Sequence, residues 1–573
     1  MLKLPYGISD FDALRREGYH YVDRTAYIRQ LEELVDKYIF FLRPRRFGKS
    51  LFISLLQRYY GLEHADDFAL LFGGLVIGQS PTPRANQYFV LRLDFSRIDT
   101  QSAESTPEGF LANIKYGVSA FLTTYDAYFS AEDRAYVLAG SAPNMVINRL
   151  FERFKAYQIG GAIQHKMYIL IDEYDHFANE LVAFRLADFQ DVVSRNGFVR
   201  KFYESIKSAT GEGVVDRLFV TGVSPLTLDS LTSGFNIGTN LSTDLLFNGM
   251  MGFSPEEVET ILLGSGVEPA QMATVMQDVQ QWYDGYRFHP KAAPHIYNPD
   301  MVLYFAKEYE RYQTYPERLL DVNLASDYTK IRRLFRAGDQ EAQNLAVLEE
   351  LIERNEITGF VTQQFSFEKS FTRDDFISLL FYMGIITAKR AELSLWVFEP
   401  PNYVIKQLYY DYFNQVLLER AKLGPDEIYL RERVVSLAQE NKIGPVIELV
   451  ESILRQLSNR DAVGFDEKYV KAVFASIFYT AQIYTIRSEH ESQRKYIDLL
   501  LLRRPPLEPT YQFAFELKYL KQAEADQLAA KKQEALAQMR GYLQHNDIQA
   551  LSDLRAYVII FVGPEAKVVE EVQ

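Results

Sequence analysis

Cysteine is absent: none occurs among the 573 residues. Without a thiol there is no disulfide scaffold, no cysteine-ligated zinc or iron–sulfur centre and no thiol nucleophile. Histidine is scarce, 8 residues in all, which disfavours a His-built metal site and a Ser-His-Asp set. No apolar run reaches the roughly eighteen residues a spanning helix needs. The opening stretch Met-Leu-Lys-Leu-Pro-Tyr-Gly has no hydrophobic signal core, so the expected compartment is the cytoplasm, with no membrane partner. An excess of positive charge is missing too: 62 Lys and Arg stand against 76 Asp and Glu, a net charge of −14. Such a chain is not a general polycation, so any nucleic-acid contact must use a local basic cleft.

What is present is ordinary globular material, 47% hydrophobic and 24% charged, with 38 tyrosines and 40 phenylalanines to build aromatic cores. At about 150 residues per domain the length predicts three to four domains. Residues 1–250 alternate short apolar runs with helical stretches, the rhythm of a parallel α/β sheet. The predicted strands are Tyr38–Leu42, Tyr88–Leu93, Met167–Ile171 and Leu218–Thr221. Residues 251–423 read as mostly helical. Within them a helix over Asp375–Met383 precedes a hairpin of Ile385–Lys389 and Leu395–Phe398, either a winged-helix module or a helical lid with one β-arm. Residues 424–460 read as a helical linker. Residues 461–573 form a second α/β rhythm in the order α-β-β-β-α-β: helix Glu467–Tyr479, strands Ile483–Arg487, Tyr496–Leu502 and Tyr511–Leu517, helix Gln527–Leu543 and strand Arg555–Val562.

The first chemical signal follows the strand Tyr38–Leu42. Arg43-Pro-Arg-Arg-Phe-Gly48-Lys49-Ser50 leads directly into a helical pattern through Tyr60. Strand, loop, helix is the setting of a Walker A loop, in which free N–H groups at a helix start attract phosphate oxygens. Arg45, Arg46, Phe47 and Gly48 would form the cradle. Lys49 would reach the β- and γ-phosphates, and the Ser50 hydroxyl would meet Mg²⁺. The other reading is a basic helix start with no nucleotide. The strand Met167–Ile171 then ends in Asp172-Glu173-Tyr-Asp175, a Walker B arrangement: Asp172 would hold Mg²⁺ through water and Glu173 would polarise the attacking water. Thr221, at the end of Leu218–Thr221, is placed either to sense the γ-phosphate or to cap a turn. Arg217 reads as a solvated charge. Arg43, Arg45 and Arg46 read as phosphate contacts or as salt-bridge partners of Asp172 and Asp175. Trp282–Arg287 reads as an aromatic turn used for core packing.

The second signal lies near the C-terminus. Asp498 sits on the strand Tyr496–Leu502, and Phe515-Glu516-Leu517-Lys518 ends the next one. Residues two apart on a strand share a face, so Glu516 and Lys518 point the same way. If the two strands pair around the Arg503–Pro509 turn, Asp498 joins them. Two carboxylates would then hold Mg²⁺, or Mn²⁺, whose acidified water attacks phosphorus while Lys518 orients it or stabilises developing charge. The alternative is an exposed strand end with a solvated Glu–Lys pair. Lys531–Lys532 and Arg503–Arg504 could line a nucleic-acid path, although basic pairs usually sit in water.

The loop and strand-end motifs, with Pro5-Tyr-Gly-Ile-Ser-Asp-Phe11, Tyr21-Val-Asp-Arg-Thr25, Leu93-Asp-Phe-Ser96, Thr221-Gly-Val-Ser224, Asn236-Ile-Gly-Thr-Asn240, Trp282-Tyr-Asp-Gly-Tyr-Arg287, Tyr297-Asn-Pro299 and Pro401-Asn-Tyr-Val404, resemble the bacterial AAA-ATPase-like family over most of residues 1–420. In that family Arg-Pro-Arg-Arg-Phe-Gly-Lys is itself the loop, so the Arg43 in place of a first glycine is a family trait. The resemblance implies a P-loop domain of the additional-strand class. The C-terminal order and the Asp498, Glu516, Lys518 spacing resemble the PD-(D/E)XK nuclease superfamily, with Ile497 where the motif's proline would stand. That resemblance implies further roles: Glu489 as an acidic metal position, Glu467 as a weaker match on the leading helix, and Gln538 on the following helix touching the metal-bound water or the nucleic-acid backbone. Read singly, Glu467 and Glu489 are better taken as solvated acids, and His490 as surface chemistry.

The resulting expectation is an α/β protein with ATP, Mg²⁺ or Mn²⁺ as cofactors and nucleic acid as partner, DNA ahead of RNA, cutting phosphodiesters under nucleotide control. The runner-up is an ATP-gated switch whose nuclease-like domain binds nucleic acid or a protein without cutting. A third reading is a scaffold with no nucleotide. A homodimer or higher oligomer is compatible with either module.

Overall fold

The computed structural model describes residues 2–98, 105–178, 197–225, 235–321, 341–363, 365, 371–422, 427–458, 466–488 and 497–572. They divide into two compact units. The first comprises Met1–Arg311, Val322–Asn344 and Thr358–Pro401; the second comprises Tyr312–Asp321, Leu345–Ile357 and Asn402–Gln573.

The first unit is built on five strands: β1 (Tyr38–Leu42), β2 (Tyr88–Asp94), β3 (Lys166–Asp172), β4 (Val215–Gly222) and β5 (Thr239–Asn240), in the spatial order β2-β3-β4-β1-β5. Every pairing is parallel. The four longer strands are apolar runs buried on both faces, as a helix-covered parallel sheet requires. β4 lies between β1 and β3, so one strand separates the loop-bearing strand from the Asp-Glu strand. That is the additional-strand arrangement the family resemblance implied. The helix Lys49–Tyr60 follows β1 after the loop of residues 43–48. Farther along, Thr372 and Asp375 form a capping box that starts the helix Arg373–Tyr382. A hairpin of β6 (Thr387–Glu392) and β7 (Leu395–Glu399) follows. Phe381 of the helix packs on Trp396 and Phe398 of the hairpin, ring centroids 5.8 and 5.5 Å apart, so helix-then-hairpin forms as expected.

The second unit carries β8 (Tyr484–Ser488), β9 (Leu499–Arg503), β10 (Gln512–Leu520), β11 (Leu554–Val562) and β12 (Glu565–Val572), ordered β12-β11-β10-β9-β8. Only β10 and β11 run parallel; the other pairings are antiparallel. The leading helix Glu467–Ala481 starts on an Asp466 N-cap and packs Phe474 and Phe478 on Phe515, at 5.1 and 5.8 Å. The following helix, Leu528–Tyr542, packs Ala535, Leu536 and Met539 on the opposite face, against Ala514, Val558 and Ile560. Strand alternation thus sends Phe513, Phe515 and Leu517 to one side and Ala514, Glu516 and Lys518 to the other. The helix Tyr403–Arg420 belongs to this unit and stacks Tyr410 on Tyr479 at 4.2 Å. No described helix is long and apolar enough to cross a membrane.

Candidate functional site

The phosphate loop is set by backbone conformation first. Gly48 has φ +91°, a left-handed value that only glycine adopts without strain, and it delivers the chain into the helix at Lys49. The first N–H groups of that helix are then free to meet an anion. Lys49 is buried; its Nζ lies 3.1 Å from Pro44 O and 3.7 Å from Glu173 Oε1. Asp172, at the end of β3, accepts the Thr221 hydroxyl on Oδ1 at 2.6 Å and also bonds the Ser50 side chain. Burial, then the Glu173 charge, raise Asp172 above the usual carboxylate range. Glu173 itself has φ +51°, an uncommon conformation for a non-glycine residue. Arg45, Arg46, Gly48, Lys49, Ser50, Asp172 and Glu173 line one cavity of about 560 Å³, a size that suits a small ligand. Ammonium, helix N–H groups and a hydroxyl beside a buried acid are the donor set that a nucleotide and a hard cation match.

The loop is held from behind. Arg43 does not serve the phosphate side, nor does it bridge to Asp172 or Asp175 as expected. It is 1% exposed, donates to Leu42 O, Ser242 O and Phe247 O at 2.8–2.9 Å, and lies between the rings of Phe41 and Phe288. Its aromatic sandwich and the carbonyls, not an acid, compensate its burial. Asp175 is fully buried and accepts Val223 N, Ser224 N and Ser224 Oγ, tying the ends of β3 and β4 together. Phe47 is likewise buried, edge-on to Tyr286 and Phe288 at 5.1 and 5.6 Å, so its ring anchors the loop. Trp282, Tyr283 and Tyr286 are buried, as the core-packing reading expected. Arg43→Ala would remove the donors to Leu42 O, Ser242 O and Phe247 O and leave a void between two rings. It is expected to cost the first unit on the order of 3 kcal/mol, read as a lower urea midpoint.

The carboxylate pair is assembled by strand register. Leu499 pairs with Phe515 across β9 and β10, so one further step of the antiparallel count sets Asp498 opposite Glu516 on one sheet face. Both are buried, 8% and 2% exposed. Asp498 Oδ2 accepts the Leu517 N–H at 2.7 Å, and Asp498 Oδ1 lies 2.6 Å from Lys471 Nζ. Glu516 Oε1 lies 2.7 Å from Lys518 Nζ, while Glu516 Oε2 is buried with no partner. Glu467 Oε1 stands 3.0 Å from Lys471 and 3.7 Å from Lys518. Burial, with the neighbouring Asp498 charge, pushes Glu516 up to about 7, and burial also raises Asp498. Burial pulls Lys518 down, but the Glu516 hydrogen bond and the acids around it outweigh that and hold the ammonium charged. An orphaned buried carboxylate oxygen beside a second carboxylate is the hard-oxygen donor set of Mg²⁺, so these residues fit such an ion. Among the described residues no group of three or more His, Cys, Asp or Glu gathers as a metal cluster.

Two family models match the regions of the chain that carry these residues. Residues 5–232 match the family model "Predicted AAA-ATPase", and residues 465–571 match "PD-(D/E)XK nuclease superfamily". The chain carries an AAA-ATPase-like domain followed by a PD-(D/E)XK nuclease superfamily domain. It is also similar to the "Uncharacterized protein in vnfD 5'region" of Azotobacter chroococcum mcd 1, 29% identical over 309 residues, which is 53% of this chain and 52% of that protein. The chain thus matches about half the length of that relative.

Within the nuclease-superfamily domain, Glu467 departs from its reading as a solvated acid. It faces Lys471 and Lys518, and although burial raises it, those two ammonium charges hold it below its ordinary value. Lys471 went unread, yet it sits one helical turn after Glu467, the spacing at which opposite charges meet. Glu489 and His490 lie outside the described residues. Gln538 Oε1 is buried without a hydrogen-bond partner. Gln538 shares a helical stripe with Lys531, whose charge acts on Glu467. In the ATPase-like domain Arg217 is not solvated: it is 2% exposed, near the phenols of Tyr60, Tyr88 and Tyr168. A central strand has covered ends, which is why a charged residue near its start is buried.

The Glu516 shift has a sign that stability measurements can read. Its folded value of about 7 lies above the ordinary 4.5, so between those values the native state binds more protons than the unfolded one. The stabilisation is complete below pH 4.5 and is lost as pH rises through 7. In EDTA, urea unfolding at pH 5 and 7.5 should show the wild type losing on the order of 2–3 kcal/mol relative to Glu516→Gln. An equal pH dependence of the two chains contradicts it.

Proposed function

We propose that this chain binds and hydrolyses ATP at the phosphate loop and cleaves nucleic-acid phosphodiesters, DNA ahead of RNA, at the Asp498–Glu516 site under nucleotide control. The observation that carries the nuclease part is the pair of buried carboxylates on one sheet face with Lys518 against one of them and a partnerless oxygen on the other side of Glu516. Asp498, Glu516 and, by the family resemblance, Glu489 would hold the divalent ion. When bound, such an ion acidifies water and neutralises charge on the phosphodiester. Lys518 stays charged beside Glu516, placed to stabilise the anionic phosphate in the transition state. Leu517 N–H fixes the Asp498 carboxylate, so the pair is positioned before substrate arrives. At the loop, Lys49 and the helix N–H groups would bind phosphate, Ser50 and Asp172 would hold Mg²⁺ and Glu173 would orient the attacking water, with Thr221 fixing Asp172.

The test is a cleavage panel over single- and double-stranded DNA and RNA with Mg²⁺ or Mn²⁺, with and without ATP. Metal-dependent products that change in yield with ATP are expected. Tight binding without any product, across all metals and substrates, would instead favour the switch that binds without cutting. The cytoplasm is the proposed compartment, and self-association belongs to the same set of measurements.

A further inference from the structure

The charge arrangement around Asp498 points beyond the two carboxylates and Lys518. Five ionisable groups meet there: Glu467, Asp498 and Glu516, with Lys471 and Lys518. Even with all three carboxylates ionised, the two ammonium groups leave only one net negative charge, small for a site meant to take a divalent ion. The shortest ion pair in the cluster is Lys471 Nζ to Asp498 Oδ1 at 2.6 Å, while Asp498 Oδ2 is engaged by the Leu517 N–H at 2.7 Å. Both Asp498 oxygens are therefore in use. Glu516 offers the contrast, with one oxygen on Lys518 and the other buried and unpartnered. An ion reaching this site finds a ready ligand in Glu516 and a contested one in Asp498.

Resting on the metal-site reading above, we propose that Lys471 is a positioning residue that holds the divalent ion's place on Asp498 and sets how tightly the ion loads. The Lys471 ammonium and the ion compete for the same oxygen, because two cations at contact distance repel in a buried site. Glu467 is the element that makes exchange feasible. It lies 3.0 Å from Lys471, so the ammonium keeps an acidic partner when it leaves Asp498 and is not stranded. Lys471 also reaches the cluster with a side chain 24% exposed, while the Lys518 side chain is 9% exposed; the lysine with more access to solvent is the one able to move. The arrangement neutralises Asp498 before the ion arrives and lowers affinity for the ion in the absence of the anionic substrate, whose phosphate restores the charge balance.

The experiment uses Ca²⁺, a divalent probe, with the full-length chain. Isothermal titration of wild type, Lys471→Met and Lys471→Arg reads affinity directly. Lys471→Met is expected to bind Ca²⁺ about tenfold more tightly than wild type, by removing a competing charge. Lys471→Arg, which keeps the charge, should stay close to wild type. In the wild-type chain, amine-reactive labelling quantified by mass spectrometry should show Lys471 becoming several-fold more reactive on Ca²⁺ addition, as its ammonium leaves Asp498. That arm needs no variant, so a misfolded Lys471→Met does not leave the idea untested. Equal or weaker Ca²⁺ binding by a folded Lys471→Met, or Lys471 labelling unchanged at saturating Ca²⁺, overturns the role of Lys471 while the metal site stands. Absence of Ca²⁺ binding by all three chains at millimolar concentration overturns the metal site and this inference together.

Discussion

A chain carrying Asp498→Asn and Glu516→Gln is expected to lose the proposed metal-dependent cleavage by about a thousandfold or more, and to keep the proposed ATP turnover. The expected size follows from what the pair supplies. On the proposed reading each carboxylate would contribute an anionic oxygen toward one ion, and an amide in its place offers no charge to bind it. The substitutions conserve shape, and both side chains are buried on one sheet face, so the fold should tolerate them. Removing two buried carboxylates also leaves Lys471 and Lys518 without their short partners at 2.6 and 2.7 Å; Glu467 remains to both. Circular dichroism and a melting curve on the same preparation separate loss of chemistry from loss of fold. Undiminished cutting by the folded double variant would contradict the site assignment, since the activity would then belong elsewhere in the chain or to a contaminant.

The second large effect concerns the phosphate loop of the first unit. Lys49→Ala should abolish stabilisation by ATP–Mg²⁺ and lower ATP hydrolysis at least about a hundredfold. In the wild type, ligand at a hundred times its Kd adds about 2.7 kcal/mol of stability, a shift of several degrees that differential scanning fluorimetry resolves. Lys49 is buried with its ammonium at 3.7 Å from Glu173 and 3.1 Å from a loop carbonyl. It is thus the cation already aimed into the acid-bearing end of the cavity. Its loss removes the counter-charge for phosphate and leaves Glu173 and Asp172 as uncompensated neighbours of an anionic ligand. If nucleotide controls cleavage, the same variant should lose the ATP-dependent change in product yield yet keep basal cutting. An ATP shift in Lys49→Ala equal to that of the wild type would remove the phosphate loop from the scheme.

The parts that were legible in the sequence are those encoded locally. The loop reads from eight consecutive residues, because a strand, a glycine with left-handed φ and a following helix are short-range features. The Asp172-Glu173 strand end reads for the same reason. The pairing of Asp498 with Glu516 reads from strand alternation and one turn. What escaped is set by partners distant in the chain. From its neighbours Arg43 looks like a phosphate contact or a salt-bridge partner of Asp172 and Asp175, but Phe288 and the carbonyls of Ser242 and Phe247 claim its guanidinium. Arg217 looks like a strand-start charge on a surface, and burial in the middle of a five-stranded sheet reverses that. Lys471 carried a usable signal, its four-residue spacing from Glu467, but its bond to Asp498 joins a helix to a strand end and has no signature in sequence alone.

Crystals soaked in Mn²⁺ and measured at its absorption edge test the central claim most directly. The predicted result is an anomalous peak bonded to Asp498 and Glu516, with Lys471 Nζ moved off Asp498 Oδ1. A peak elsewhere in the second unit, with Asp498 and Glu516 still paired to their lysines, would contradict it.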